Sequence, residues 1–175
     1  MANDNWSTPK PVHSNLDREF RFVADMAASH ENALSPRYYK EESNALNFRW
    51  SEHFTDLIAN GSPYVWCNPP YSNPLPWILK AREAQEDGLG VVMLLNSDNS
   101  VRWFAEALKT VSEIRFVVAD IDGKFESGRI AFIGDDGKPS NQNTKSQVIL
   151  VFNPFAIGHR VTKYVKKSDL YKEHK

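Results

Sequence analysis

One run, Leu89-Gly90-Val91-Val92-Met93-Leu94-Leu95, constrains the fold more than any other stretch of the chain. It carries no polar side chain, and it is far shorter than the ~20 residues a membrane-crossing helix requires. An apolar run of this length reads as a strand covered on both faces, which belongs to a sheet with helices packed above and below it. The flanking elements agree. Lys10 to Phe20 sets Val12, Leu16 and Phe20 on one helical face, with Pro11 in the first turn. Phe20 to Ala24 alternates as a short strand and stops at Asp25; Met26 to Leu34 has helical composition and ends before Pro36. A helix is expected around Trp50, Phe54, Leu57 and Ile58, a strand over Tyr64–Cys67 and a helix over Trp77–Ala84. Beyond the apolar run come a helix from Arg102 to Thr110 and a strand over Ile114–Val118. Strands over Ile130–Ile133 and Val148–Phe152 close the order, joined by the polar loop Gly134 to Ser146. Strand and helix alternate, then strands follow alone. That order predicts an α/β fold, a mostly parallel sheet with a C-terminal antiparallel hairpin.

The residues that carry chemistry follow the Tyr64–Cys67 strand. Asn68-Pro69-Pro70-Tyr71 stands where ligands gather in open α/β sheets, beyond the carboxyl end of a strand. Two prolines fix φ and remove two backbone donors, so the carbonyls around Asn68 and Pro69 become acceptors in a stiff frame. Asn68 adds an amide oxygen, and Tyr71 a flat ring with a polar tip. Together they suit a planar group bearing an NH₂. Gripping both amino hydrogens favours a tetrahedral nitrogen with a localised lone pair, the form that attacks an electrophilic methyl. A base inside a duplex cannot reach such a slot, so its target is single-stranded or flipped out. A rigid proline connector is the plain alternative, since four of the ten prolines fall between Pro69 and Pro76.

Further pieces occur in order: Trp6-x-Thr8-Pro9, Asp25-x-Ala27-Ala28 with Glu31-Asn32-Ala33, the Asn68–Tyr71 motif with Ser72, Arg102-Trp103-Phe104, and Gly128-Arg129-Ile130-x-Phe132. As a set, spanning roughly Trp6 to Pro154, they resemble the phage-type DNA N6-adenine methyltransferases, the phage Dam family. The resemblance implies a Rossmann-like domain that transfers methyl from S-adenosylmethionine to adenine N6 in DNA. It implies that Asn68, Pro69, Pro70 and Tyr71 hold the target adenine. It places Trp6, Thr8, Pro9, Asp25, Met26 and Ala27 at the cofactor, with Glu41 or Glu42 as the acidic ribose partner. Trp6 either packs on the cofactor or anchors the N-terminus. The turn Asp25 to Ser29 has small alanines where such enzymes generally carry glycine, and Asn96-Ser97 stands where relatives often have proline. The Asn68–Tyr71 tetrapeptide alone also serves methyltransferases acting on RNA bases or on protein glutamine. A silent nucleic-acid-binding scaffold is the reading from another class.

Charge sets the expectations about partners. The 175 residues hold 21 basic and 22 acidic side chains, for a formal net charge of −1, which excludes a histone-like polycation but not a local basic face. The DNA-facing candidates are Arg129, Lys145, Lys166 and Lys167, with Asn141, Gln142 and Asn143 of the polar loop able to read base edges. Residues 161–175 read as a basic C-terminal tail behind a single methyltransferase domain, 1–160, with no room for a separate target-recognition domain. A single cysteine, Cys67, excludes a disulfide framework and a cysteine-cluster zinc site. The five histidines show no paired metal spacing, and Asp120-Ile121-Asp122-Gly123 and Asp135-Asp136-Gly137 read as turns, so no metal is expected. No apolar segment follows a basic N-terminus, so the expectation is an unexported protein without a membrane partner. Its place is the cytoplasm, that of the host if a phage encodes it.

Overall fold

A computed structural model describes residues 6–40, 44–140 and 142–173. Its six strands are β1 (Phe22–Asp25), β2 (Tyr64–Cys67), β3 (Gly90–Asn96), β4 (Glu113–Val118), β5 (Gln147–Phe152) and β6 (Val161–Lys166), ordered β1-β2-β3-β5-β4-β6 in one sheet. β1, β2 and β3 pair in parallel, as do β4 and β6; β5 runs antiparallel to both of its neighbours. The carboxyl ends of five strands and the amino end of β5 therefore share one edge.

β3 is covered on both faces, as its composition requires. Val91, Met93 and Leu95 point into a core with α3 (Leu75–Glu86) and α4 (Arg102–Ala107). Val92 and Leu94 point into a second core with Val12 and Leu16 of α1 (Lys10–Phe20) and with Ile130, Phe132 and Leu170. The short helix α2 (Thr55–Ala59) follows a 3-10 turn at Trp50–His53. The mixed α/β sheet agrees with a Rossmann-like methyltransferase. Among the described residues no helix is long and apolar enough to cross a membrane.

Four expectations need correction. Phe20 belongs to α1 and not to a strand. Arg21 terminates the helix in the left-handed region at φ 54, its N–H donating to the Asp17 carbonyl at 2.7 Å, and β1 starts one residue later. Met26 to Leu34 forms turns rather than a helix. There the N–H groups of Ala27 and Leu34 bond the Asp25 carboxylate, and those of Glu31 and Asn32 the Ser29 hydroxyl. Local side-chain acceptors outcompete the helical ladder. Ile130–Ile133 is not a ladder strand. Ile130 donates its N–H to Gln147 Oε1 at 2.8 Å and accepts from Asn143 Nδ2 at 2.8 Å, while Ile133 bridges Ser7 and Pro139. Side-chain amides replace the expected hairpin partner.

The basic segment after residue 160 is not separate from the sheet. β6 pairs with all six residues of β4, and α5 (Lys167–Leu170) follows it. Asn15 of α1 donates to the Leu170 carbonyl at 2.9 Å and to that of Lys172 at 3.1 Å. Arg115 of β4 pairs with Glu19 of α1 at 2.5 Å and with Glu113 at 2.8 Å, and Lys163 of β6 reaches Glu113 at 2.6 Å.

Candidate active site at the carboxyl edge of the sheet

β1 ends where its last residues meet two partners. On the inner side Met26 N–H donates to the Trp66 carbonyl at 2.9 Å; on the outer side Asp25 exchanges backbone bonds with Arg37 and Tyr39, both at 2.9 Å. These bonds place the Asp25 side chain beneath the loop that follows, 3% exposed. Its Oδ1 accepts from Ala27 N–H at 3.2 Å and its Oδ2 from Leu34 N–H at 3.5 Å. Burial raises its pKa to about 6, against the opposing pull of those two N–H groups. A carboxylate can accept about four hydrogen bonds, so this one retains capacity for a hydroxyl or ammonium group.

β2 lies beside β1, with Trp66 in register with Asp25, and Asn68 is two residues beyond it. The Asn68 amide is anchored from one side, its Nδ2 donating to the Trp6 carbonyl at 3.2 Å. Its Oδ1 is buried without a partner, and so are the Tyr71 hydroxyl and the Thr8 hydroxyl. Tyr71 lies edge-on to Phe132 at 5.8 Å and 77°, and Phe132 stacks on Trp6 at 5.5 Å and 14°. Ser7 fixes this stack through two backbone bonds with Ile133, at 3.0 and 2.9 Å. Residues far apart in sequence, 6–8, 68–71 and 130–133, thus meet over the end of β2. Unpaired buried polar atoms cost ~1–3 kcal/mol each; of the eight among the described residues, these three lie together on two adjoining segments, where they leave hydrogen-bonding capacity for a ligand.

The expected site residues do not all converge. Asn68, Pro69, Pro70, Tyr71, Trp6 and Thr8 come together. Pro9 is buried behind them and caps α1, accepting from Val12 and His13. Asp25 and the half-buried Ala27 stand at the adjoining strand end, whereas the Met26 side chain is fully buried in the core. Glu41 and Glu42 lie outside the described residues, as does Asn141. Phe132, which sequence reasoning held only as the end of a motif, is the ring that joins Trp6 to Tyr71. Cys67 is buried under the motif, and burial pushes its thiol well above the usual range, which leaves it a core residue.

Of the cationic candidates, Arg129, Lys145 and Lys166 are exposed at this same edge: Lys166 ends β6, Lys145 lies two residues before β5, and Arg129 lies in irregular backbone beside the end of β4. Lys167 is different: it is 8% exposed, its Nζ donates to the Arg129 carbonyl at 2.6 Å, and it lies over the Phe125 ring at 4.6 Å. It is not a surface cation. Asp120 likewise is engaged, accepting from the Ser168 hydroxyl and backbone. Gln142 is exposed, whereas the Asn143 side chain is buried on the Ile130 carbonyl.

Comparison with known proteins shows the family of the chain. The whole chain, 1–175, matches the family described as DNA N-6-adenine-methyltransferase (Dam). The chain is 37% identical over 165 residues to a protein of Escherichia phage T1 named DNA N-6-adenine-methyltransferase, covering 90% of this chain and 66% of that protein. It is 32% identical over 157 residues to a protein of the same name from Haemophilus phage HP1 (strain HP1c1), covering 87% of this chain and 80% of that one. The chain thus spans just under two thirds of the phage T1 protein.

Proposed function

The chain belongs to the DNA N-6-adenine-methyltransferase (Dam) family, and we propose that it methylates adenine N6 in DNA at the edge formed by β1 and β2. The observation that carries the site is the unpaired, buried Oδ1 of Asn68. With Nδ2 held by the Trp6 carbonyl, that oxygen is oriented as an acceptor and has nothing to accept from. The amino group of adenine supplies the missing donor. Pro69 and Pro70 cannot donate, so the neighbouring carbonyls stay available for the second amino hydrogen. The adenine leaves its stack to enter, with Tyr71 and Phe132 as the aromatic wall beside it.

The chain's own groups fit the methyl donor of this family. Asp25, a buried carboxylate with acceptor capacity left, and Thr8, whose buried hydroxyl lacks a partner, suit the hydroxyl and ammonium groups of S-adenosylmethionine. That molecule supplies a methyl made electrophilic by a sulfonium sulfur. Asn68 Oδ1 would orient the adenine amine and localise its lone pair; forming the N–CH₃ bond breaks the donor's S–CH₃ bond, whose electron pair stays on sulfur as a neutral thioether, and the amine gives up one proton to solvent. Asn68, Pro69, Pro70 and Tyr71 are the groups that touch the reacting amine, and Asp25 and Thr8 hold the donor. The phage origin of these relatives supports a cytoplasmic reaction, in the host if a phage encodes the chain.

The test uses labelled cofactor with DNA, RNA and protein acceptors, beside Asn68→Ala. Label on DNA adenine, absent with the variant, is the expected result. Label confined to RNA or protein overturns the DNA assignment, and a chain that binds no cofactor by calorimetry is a silent scaffold.

A further inference from the structure

A hollow lies along the same edge, at the end of β4. It measures about 380 Å³, and Val118, Ser127, Gly128, Arg129, Thr144 and Ser146 contribute to its wall. Three features show that its Arg129 is held in place by design of the chain. Gly128 sits against the end of β4 so closely that a Cβ there would lie 2.7 Å from the Val117 carbonyl oxygen and 2.8 Å from Val118 backbone atoms. Only glycine allows that approach. On the other side, the buried Lys167 Nζ clamps the Arg129 carbonyl at 2.6 Å. The Ser127 hydroxyl then receives Arg129 Nε at 3.1 Å and its backbone N–H at 3.2 Å, which leaves the two terminal guanidinium nitrogens free of those bonds.

The cations at this edge are not engaged in ion pairs among the described residues: none of the seven uses Arg129, Lys145 or Lys166. Asp98, the carboxylate that Lys145 attracts, is already bonded to Ser100, and Asp120 is bonded to Ser168. A fixed guanidinium beside the hydroxyls of Thr144 and Ser146 matches a phosphate, which takes a forked donor and further hydroxyl bonds. Distance selects the kind of phosphate. β4 is three strand positions from β2, about 14 Å at the usual strand spacing. One DNA strand rises about 3.4 Å per nucleotide, so the hollow is roughly four nucleotides from a base held over β2.

We propose that this hollow binds a backbone phosphate of the DNA a few nucleotides from the target adenine, with Arg129 as its principal ligand and Gly128 and Lys167 as positioning residues. The proposal rests on the DNA reading of the site and adds to it a second anchor that fixes register on the strand without reading sequence.

The test is fluorescence anisotropy of the full chain with labelled duplexes of differing sequence, from about 50 to about 200 mM salt. The variants are Arg129→Ala, Arg129→Lys and Thr144→Glu, the last placing a carboxylate in an exposed loop with little demand on folding. Arg129→Ala should lose affinity equally on every duplex and lower the salt slope by about one, so that its affinity falls roughly threefold less across that range. Arg129→Lys should keep the slope, Thr144→Glu should weaken binding, and calorimetric affinity for S-adenosylmethionine should be the same in all. A wild-type slope in both Arg129→Ala and Thr144→Glu overturns the proposal. So does inorganic phosphate that binds through Arg129 while DNA affinity ignores it, because the hollow is then a free-phosphate site. Failure of the wild type to methylate DNA strikes the reading of the Asn68 site instead, and is seen separately from the salt slope.

Discussion

Asn68 Nδ2 donates to the Trp6 carbonyl across 62 positions of sequence, at 3.2 Å, and this bond decides which way the amide faces. The oxygen is thereby presented, buried and unpaired, on the other side. Replacing Asn68 by alanine removes the acceptor and leaves the backbone frame. Methyl transfer should fall about 100-fold or more, the scale of losing one preorganised hydrogen bond at a reacting group, while calorimetric cofactor affinity stays near wild type. Equal loss of cofactor affinity would show that Asn68 belongs to the cofactor pocket.

Trp6 reaches this bond through its backbone, so its side chain acts indirectly, by stacking on Phe132 at 5.5 Å. Aromatic pairs of this kind contribute ~0.5–1.5 kcal/mol. Trp6→Ala should therefore lower kcat/KM by roughly two- to tenfold, with Trp6→Phe restoring most of it. A Trp6→Phe variant as impaired as Trp6→Ala would mean that the indole itself touches substrate or cofactor.

The elements legible in sequence are those whose backbone bonds and side-chain pattern agree. α1 carries a helical apolar period and β2, β3, β4 and β5 carry compact apolar runs that stay buried on folding, and Asn68–Tyr71 is visible because its position after a strand is itself a pattern. The misread segments are those where side chains substitute for backbone partners. Ile130 and Phe132 are fully buried and apolar, so they read as a strand, yet Gln147 and Asn143 take the place of its neighbour. Asp25 and Ser29 do the same to the expected helix after Asp25. β6 is hidden by its lysines, which are common on exposed sheet edges because they discourage pairing with other chains. Phe132 as the hinge of the aromatic array depends on the Ser7–Ile133 contact, which no local pattern encodes.

Gly128 offers a steric test. A Cβ at 2.7 Å from the Val117 oxygen has to displace main chain rather than a flexible side-chain tip. Gly128→Ala should cost about 1–3 kcal/mol, seen as a drop of several degrees in thermal denaturation. An unchanged melting temperature would mean that the 127–129 segment lifts away from β4 without penalty.

Lys166 and Lys167 adjoin in sequence but should respond in opposite ways. Lys166 is exposed, and Lys166→Ala should leave the melting temperature alone while lowering the salt slope of DNA binding by up to about one. Lys167→Met strands the Arg129 carbonyl that its Nζ now satisfies, which should cost about 1–3 kcal/mol of stability. The pair is checked by melting curves and salt titrations on the same samples. A Lys167→Met variant with unchanged melting would return Lys167 to the surface cations.

Asp25 should produce two opposed pH trends from one group. Burial lifts its folded-state pKa to about 6 from an ordinary 3.8, so between those values the folded chain binds a proton that the unfolded chain has lost. Stability contributed by this residue is therefore greatest below about pH 4, declines as pH rises towards 6, and is flat above. Asp25→Asn keeps an acceptor for Ala27 and removes the buried charge, so the cofactor-free variant should be more stable than wild type at pH 7.5, by up to roughly 3 kcal/mol, and equal to it near pH 4. Cofactor binding should run the other way. An ionised Asp25 accepts from the donor's ammonium or hydroxyl groups, so affinity should rise as pH passes about 6, and Asp25→Asn should bind weakly at every pH. Thermal denaturation from about pH 4 to 8 without cofactor, and calorimetry over the same range, measure both. A variant stabilised at pH 7.5 that still binds cofactor normally would leave Asp25 as a buried cap for the loop after β1 and remove it from the cofactor site.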